Sequence, residues 1–304
     1  MFSKLVGNDL FKQSIKNMMQ DNRLVHSFII EGEKGLGKHT AAGIIAAAAM
    51  CESSYAPCGE CRVCNLASEL KHPDITVYSA DKSTFKISTV RKIRTDALLL
   101  PIEAKRKVFV LENTELMNFE AQNAMLKILE EPPDSVIFIL LTESAHLLLT
   151  TIRSRCVTVS LREPEIEEAA EFLVKKTGKD KSDVLAALEE YNGNIGKAEM
   201  LLQDNDYGIS YDIAVKLFNC LKLTKLDFLG ICVKINDREE AKAVIRELSS
   251  ILNSKIRVSA SNGDTDTLKN LIRITQKVTD SLKQLTMNCN IQLTLTALAE
   301  NIFI

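Results

Sequence analysis

The stretch Ser27-Phe28-Ile29-Ile30-Glu31-Gly32-Glu33-Lys34-Gly35-Leu36-Gly37-Lys38-His39-Thr40 decides the fold. Residues 27–30 read as a strand and residues 39–50 as a helix. Between them, Gly32 to Lys38 fits G-x-x-x-x-G-K in the strand–loop–helix setting that a phosphate loop requires. The glycines let backbone N–H groups close around phosphate, the helix N-terminus adds a favourable dipole, and Lys38 supplies charge.

Outward from this stretch, strand-like runs recur at residues 75–78, 108–111, 136–141 and 157–159. They alternate with helix-patterned stretches at 9–20, 87–99 and 118–131. In the last, Ala121, Ala124, Met125, Ile128 and Leu129 share one face, and Pro132-Pro133 ends the helix. Near-continuous apolar strands between helices imply a parallel sheet covered on both sides. The pattern stops near Leu161, and the rest reads as all-helical. Glu163-Pro164 opens a helix that Gly178 stops, Ser182 is placed to cap a second that ends before Gly193, and residues 195–203 form a third. From Tyr211 onward long amphipathic patterns recur, with one strong turn expected at residues 259–266 (SASNGDTD).

With 304 residues, 46% apolar and 26% charged, the chain has material for two or three packed domains, and disorder is excluded as its main state. Thirty-eight Lys plus Arg against 40 Asp plus Glu give a net charge of −2, low for a protein that grips nucleic acid unaided. The N-terminus has no continuous apolar core of a secretory signal. The longest apolar runs, 44–51 and 136–141, fall far short of the roughly 18–20 residues that span a bilayer. A soluble, intracellular protein is expected.

The phosphate loop departs from that of a working ATPase. Its next position normally carries the Ser or Thr hydroxyl that holds Mg²⁺, and here it is His39, whose imidazole suits softer metals. Thr40 lies about 100° further around the helix and cannot take over. After the run 108–111 comes Glu112-Asn113. Glu112 partly suits an acid near Mg²⁺, but an amide at 113 is no base for activating water.

Four of eight cysteines cluster as Cys51, Cys58, Cys61 and Cys64, a C-x6-C-x2-C-x2-C spacing with Pro57 and Gly59 placed to allow a knuckle turn. Four thiolates so spaced match a closed, structural Zn²⁺ site. A disulfide pair is the alternative, which a reducing compartment disfavours. Cys156, Cys220, Cys232 and Cys289 are scattered and read as buried thiols, and His72 reads as part of a turn before a strand.

These features come in a telling order: His26-Ser27-Phe28 before the phosphate loop, the cysteine module behind its helix, and His72-Pro73-Asp74. The run Ala121-Gln122-Asn123-Ala124-Met125-Leu126-Lys127-Ile128-Leu129-Glu130-Glu131-Pro132-Pro133 and Ser154-Arg155-Cys156 follow. Together they closely resemble the sliding-clamp loader subunits of bacterial DNA polymerase III, of the AAA+ class. The resemblance covers about residues 1–205, and the remainder fits by helical character alone. Within the family the tau/gamma subunits are ATPases and the delta-prime type is a non-hydrolysing relative. His39, Glu112-Asn113 in place of Asp-Glu, and Gly196 in place of the sensor-2 arginine all side with delta-prime.

The resemblance implies an α/β RecA-like (AAA+) parallel-sheet domain with a zinc module over residues 1–162, a three-helix lid over 163–207, and an all-α collar domain over 208–304 that joins a pentameric ring. It implies that Arg155 reaches the nucleotide site of the adjacent subunit and stabilises charge on the γ-phosphoryl group. Gly32, Gly35, Gly37, Lys38, His39, Thr40, Glu112 and Thr142, the last at the sensor-1 region, would form a vestigial site holding ATP or ADP weakly and without hydrolysis. The implied partners are the tau/gamma and delta subunits, the sliding clamp and primer-template DNA, within a cytoplasmic DNA polymerase III holoenzyme. Two rival readings are an ATP-driven tau/gamma-type motor and a solitary zinc-ribbon nucleic-acid binder. The low net charge and 5% aromatic content weigh against the second.

Overall fold

The computed structural model describes residues 1–21, 23–80, 85–203, 205–221, 224–262, 265–287 and 289–303. The five strands are β1 (Ser27–Glu31), β2 (Ile75–Tyr78), β3 (Lys107–Leu111), β4 (Val136–Thr142) and β5 (Val157–Ser160). They form one sheet in the order β2-β3-β4-β1-β5, with every neighbouring pair parallel. All five lie where the apolar runs place them. Successive side chains point to opposite faces, so the three central strands β3, β4 and β1 feed two cores. Phe28, Ile30, Val108, Val110, Ile137 and Ile139 pack with α1 (Asp9–Gln20), α2 (Lys38–Met50) and α3 (Arg62–Ser68). Ile29, Phe109, Leu111, Phe138 and Leu140 pack on the other face with α4 (Ile87–Ala97), α5 (Phe119–Glu130) and the short α6 (Thr150–Arg153). β4, central in the sheet, is buried at every position.

Helix α2 is apolar all round because it lies within its core, whereas α5 shows only a stripe. Asn118 caps α5 by accepting the N–H of Ala121 at 2.8 Å. Helix α4 ends at Ala97, two residues before the expected stop. Leu98, Leu99, Leu100 and Ile102 then stand in solvent, 58–81% exposed.

The link after α4 is fastened from below. The buried carboxylate of Asp74 accepts the backbone N–H groups of Ile102, Glu103 and Ala104 at 2.5, 2.8 and 2.8 Å. His72 is buried in the turn before β2, its Nδ1 accepting the N–H of Asp74 at 3.1 Å. Burial by itself would raise the Asp74 pKa, but the three N–H donors and His72 hold it below the usual carboxylate value. A carboxyl depressed in the fold stabilises the protein above its unfolded pKa near 3.9, and loses that contribution as pH falls through the folded value. Asp74→Asn offers one acceptor oxygen for three donors, and is expected to cost about 2–4 kcal/mol in urea unfolding at pH 7. The gap from the parent narrows when the melts are repeated below pH ~4.

The chain divides into two compact units, Met1–Glu199 and Met200–Ile304. The first also contains α7 (Ile166–Thr177), α8 (Lys181–Glu190) and the start of α9 (Ile195–Gln203). Helix α7 begins at Ile166 rather than at Pro164, which is in close contact with Gly7. Ser182 lies inside the first turn of α8, whose N-cap is Asp180. Gly178 takes a left-handed conformation after α7, as expected, and Gly193 does so after α8.

The second unit holds α10 (Asn205–Cys220), α11 (Lys225–Cys232), α12 (Arg238–Asn262), α13 (Thr265–Thr286) and α14 (Ile291–Ile302). Leu217, Phe228, Ile245, Leu248, Val278 and Leu298 are at its core. Arg238 donates to the carbonyls of Leu285, in the last turn of α13, and of Cys289, beyond it, at 2.9 Å each. The expected turn at 259–266 is largely helical: α12 continues to Asn262 and α13 starts at Thr265. Its centre, residues 263–264, lies outside the described residues. Among the described residues no helix is long and apolar enough to cross a membrane.

Candidate functional site: the phosphate loop, Arg155 and four cysteines

The loop from Gly32 to Gly37 joins β1 to α2 at the carboxyl end of the sheet, where open α/β folds place their ligands. Here it is filled from within. Lys38 Nζ donates to the carbonyls of Gly32 and Glu33, the second at 3.1 Å. Burial lowers the Lys38 pKa, while the carboxylates of Glu143, Glu115 and Glu33 act to raise it. Carboxylates of the chain thus favour the charged ammonium, but burial outweighs them. Glu115 and Glu143 were not legible as site residues, because neither belongs to a motif and only the sheet brings them to the loop.

The residue after Lys38 is paired at the surface. His39 Nε2 lies 2.6 Å from Glu112 Oε1. The residue that replaces the magnesium hydroxyl therefore meets the acid that would stand beside the ion. Thr40, together with Gly35, Leu36 and Gly37 of the loop itself, lines a cavity of about 370 Å³ bordered by Leu5, Pro164, Phe172, Ile195 and Gly196. Asn113 sits in the left-handed region, with φ 52° and ψ 47°, a conformation asparagine tolerates well. Thr142 is buried and its hydroxyl donates to the Ser144 carbonyl at 3.1 Å, an interaction internal to the strand end.

The start of α9 closes on the loop. Asn194 Nδ2 donates to the Lys34 carbonyl at 2.9 Å, Gly196 N–H to the Gly35 carbonyl at 3.0 Å, and Lys197 Nζ pairs with Glu33 at 3.2 Å. The backbones touch. A Cβ on Gly196 would lie 2.5 Å from Gly35 Cα, and one on Gly35 would lie 2.2 Å from Asn194 Oδ1. No side chain fits at 196 in this arrangement, an arginine least of all. The glycine sequence had suggested only a missing arginine; the fold adds that the space is taken.

Arg155 follows α6 and lies at the surface, its side chain 35% accessible. Its guanidinium pairs with Glu130 at 2.7 Å and donates to the Thr151 carbonyl at 2.9 Å. Cys156 packs into the second core, and burial pushes its thiol up to about 12. Cys220 and Cys232 are buried as expected, whereas Cys289 is exposed.

The four clustered cysteines converge. Their Sγ atoms all lie within 4.8 Å of one another, with Cys51–Cys58, Cys58–Cys64 and Cys51–Cys61 at 3.7, 3.8 and 4.0 Å. No S–S bond joins them. The separations fit a tetrahedral ion with metal–sulfur bonds of about 2.3 Å, whose sulfurs stand roughly 3.8 Å apart. Gly59 takes φ +82° in the knuckle, and the N–H groups of Cys61 and Cys64 point to the sulfurs of Cys58 and Cys61 at 3.4 Å each. Backbone N–H groups of Glu60 and Cys61 lower the Cys58 thiol to about 6, favouring the thiolate. The cluster is therefore competent to hold a metal ion.

The family described as "DNA polymerase III, delta subunit" matches residues 7–165. The chain is 28% identical over 211 residues to DNA polymerase III subunit delta' of Bacillus subtilis, covering 69% of this chain and 63% of that one. It is 31% identical over 172 residues to the delta' subunit of Pseudomonas aeruginosa, covering 55% and 52%. A tau subunit of Bacillus subtilis is 32% identical over 157 residues, covering 51% of this chain and 28% of that one. The chain thus spans about half to two thirds of the length of its delta' relatives. Among solved structures, a DNA polymerase III gamma subunit-related protein of Thermotoga maritima shares the fold, with a TM-score of 0.53 at 17% identity over 95% of this chain and 97% of that one. The chain therefore belongs to the DNA polymerase III delta-subunit family, as a member of its delta-prime type.

Proposed function

We propose that this chain is a non-hydrolysing subunit of a clamp loader, a stator that helps place a sliding clamp on primed DNA and presents Arg155 to an adjacent ATPase subunit. The observation that carries the reading is the 2.6 Å contact between His39 and Glu112, which ties the residue standing in place of the magnesium hydroxyl to the acid after β3. The backbone contact between Gly196 and Gly35 supports it independently, because it removes the space for a lid arginine. Phosphoryl transfer depends on the metal and on fixed cations around the γ-phosphate. ATP or ADP would bind here weakly and without hydrolysis.

In this reading residues 1–162 are the RecA-like domain, 163–207 the lid and 208–304 the collar. The exposed Leu226, Val233, Met287 and Leu293 suit a collar helix surface that packs against other subunits. The partners are tau/gamma and delta subunits, the clamp and primer-template DNA, in the cytoplasm. The ion in the four-cysteine cluster is structural Zn²⁺, since a closed thiolate set leaves no open ligand position.

ATP turnover by the purified chain, with Lys38→Ala as the contamination control, tests the central claim. No turnover above that control is expected. The rival reading, a tau/gamma-type motor, draws on the retained Gly32, Gly35, Gly37 and Lys38 and on relatives named tau and gamma. Magnesium-dependent turnover lost in Lys38→Ala would establish the rival and sink the stator.

A further inference from the structure

Arg155 is held on its own chain. Its Nη2 meets Glu130 Oε1 at 2.7 Å, and its Nη1 donates to the Thr151 carbonyl at 2.9 Å and to Ser154 Oγ at 3.3 Å. The partners are firmly placed. Glu130 is the last residue of α5, a helix fixed in the core by Met125, Ile128 and Leu129. Arg155 is flanked by the buried Ile152 and by Cys156, which packs on the same core. The pair joins segments 25 positions apart (130 to 155), both fixed by packing, while the two side chains remain 35% and 45% accessible. A carboxylate and a phosphoryl oxygen compete for the same face of a guanidinium.

We propose that Glu130 is the positioning residue for Arg155: it latches the guanidinium on this chain, and the polyphosphate of an adjoining subunit must displace it. This rests on the reading of Arg155 as acting in trans. Two consequences share one sign. Engagement of phosphate requires breaking the ion pair, and the released carboxylate then stands near the phosphate and repels it. Removing the negative charge at 130 relieves both.

The experiment uses the full chain alone and in a loader reconstituted with tau/gamma and delta subunits. On the chain alone, phenylglyoxal labelling of Arg155, read by mass spectrometry, reports how free the guanidinium is. Glu130→Gln is expected to raise the labelling rate about two- to five-fold at low salt, the range an exposed pair allows. That difference shrinks in 1 M salt. Glu130→Asp, which keeps the charge, is expected to restore part of the protection. In the loader, Glu130→Gln is expected to raise single-turnover ATP hydrolysis at the site Arg155 completes by a similar factor. Arg155→Ala abolishes that hydrolysis whichever residue stands at 130. Unchanged labelling in Glu130→Gln overturns the latch directly. Raised labelling with equal or slower hydrolysis also overturns it, while an Arg155→Ala defect leaves the trans role standing. If Arg155→Ala hydrolyses like the parent, the trans role fails and the latch falls with it, whatever the labelling shows.

Discussion

Arg155→Ala is expected to lower ATP hydrolysis by about 10³-fold or more at the one site that this chain, on the proposed reading, would complete in a reconstituted loader, the scale at which an arginine supplied in trans acts. Sites completed by other subunits keep their rates, so single-turnover kinetics lose one phase rather than slowing throughout. The fold does not share the loss. The side chain is about one-third exposed and its partner Glu130 nearly half exposed. Breaking such a pair changes stability by no more than about 1 kcal/mol. The thermal melt of Arg155→Ala should therefore overlay the parent. A variant that melts early and hydrolyses slowly in every phase would indicate a misfolded subunit. A variant with full hydrolysis at all sites would remove Arg155 from the mechanism.

The sequence and the fold differ most where contacts cross long intervals. The strands and the longer helices of the first unit were legible because their side chains repeat with period 2 or 3.6, and burial enforces that repeat, whereas α3 and α6, of seven and four residues, are too short to show one. His39 was legible as a lost metal ligand from its place in a motif. Its pairing with Glu112, 73 positions away, was not, because no local pattern records which carboxylate a sheet brings near. The same holds for Asp74, whose three donors lie in residues 102–104, and for Asn194, which bridges to the Lys34 carbonyl 160 positions back. Leu98 and Leu99 extended the helical pattern on paper. The chain leaves α4 at Ala97 instead, and Asp74 gathers the N–H groups of 102–104 beyond it. Gly196 shows a middle case. Its motif position suggested an absence, and only the 2.5 Å approach to Gly35 shows that the absence is required for closure.

Cys64→Ser is expected to cost the first unit about 3–5 kcal/mol, on the order of a 10 °C fall in its melting temperature, and to take the bound metal with it. Cys64 is fully buried and is the ligand that belongs to helix α3 itself, whereas Cys51 directly follows α2. An ion held by both therefore ties one helix to the other. The helices lie so close that a Cβ on Gly43 of α2 would stand 2.9 Å from the Ser68 carbonyl at the end of α3. Helix α3 has only seven residues. Short helices are marginal without such an anchor. Arg62, the first residue of α3, pairs with Glu103 at 2.7 Å, so loosening α3 also loosens the link that Asp74 fastens. The metal content of the parent should be one equivalent of zinc, and a strong chelator at neutral pH should reproduce the lowered melt. Thiol titration of the denatured, chelated parent should return all eight cysteines as free thiols. If the parent is metal-free as purified from zinc-replete medium and melts as high as a zinc-reconstituted sample, the cysteines hold the fold by packing. The convergence of four sulfurs within 4.8 Å would then need another cause.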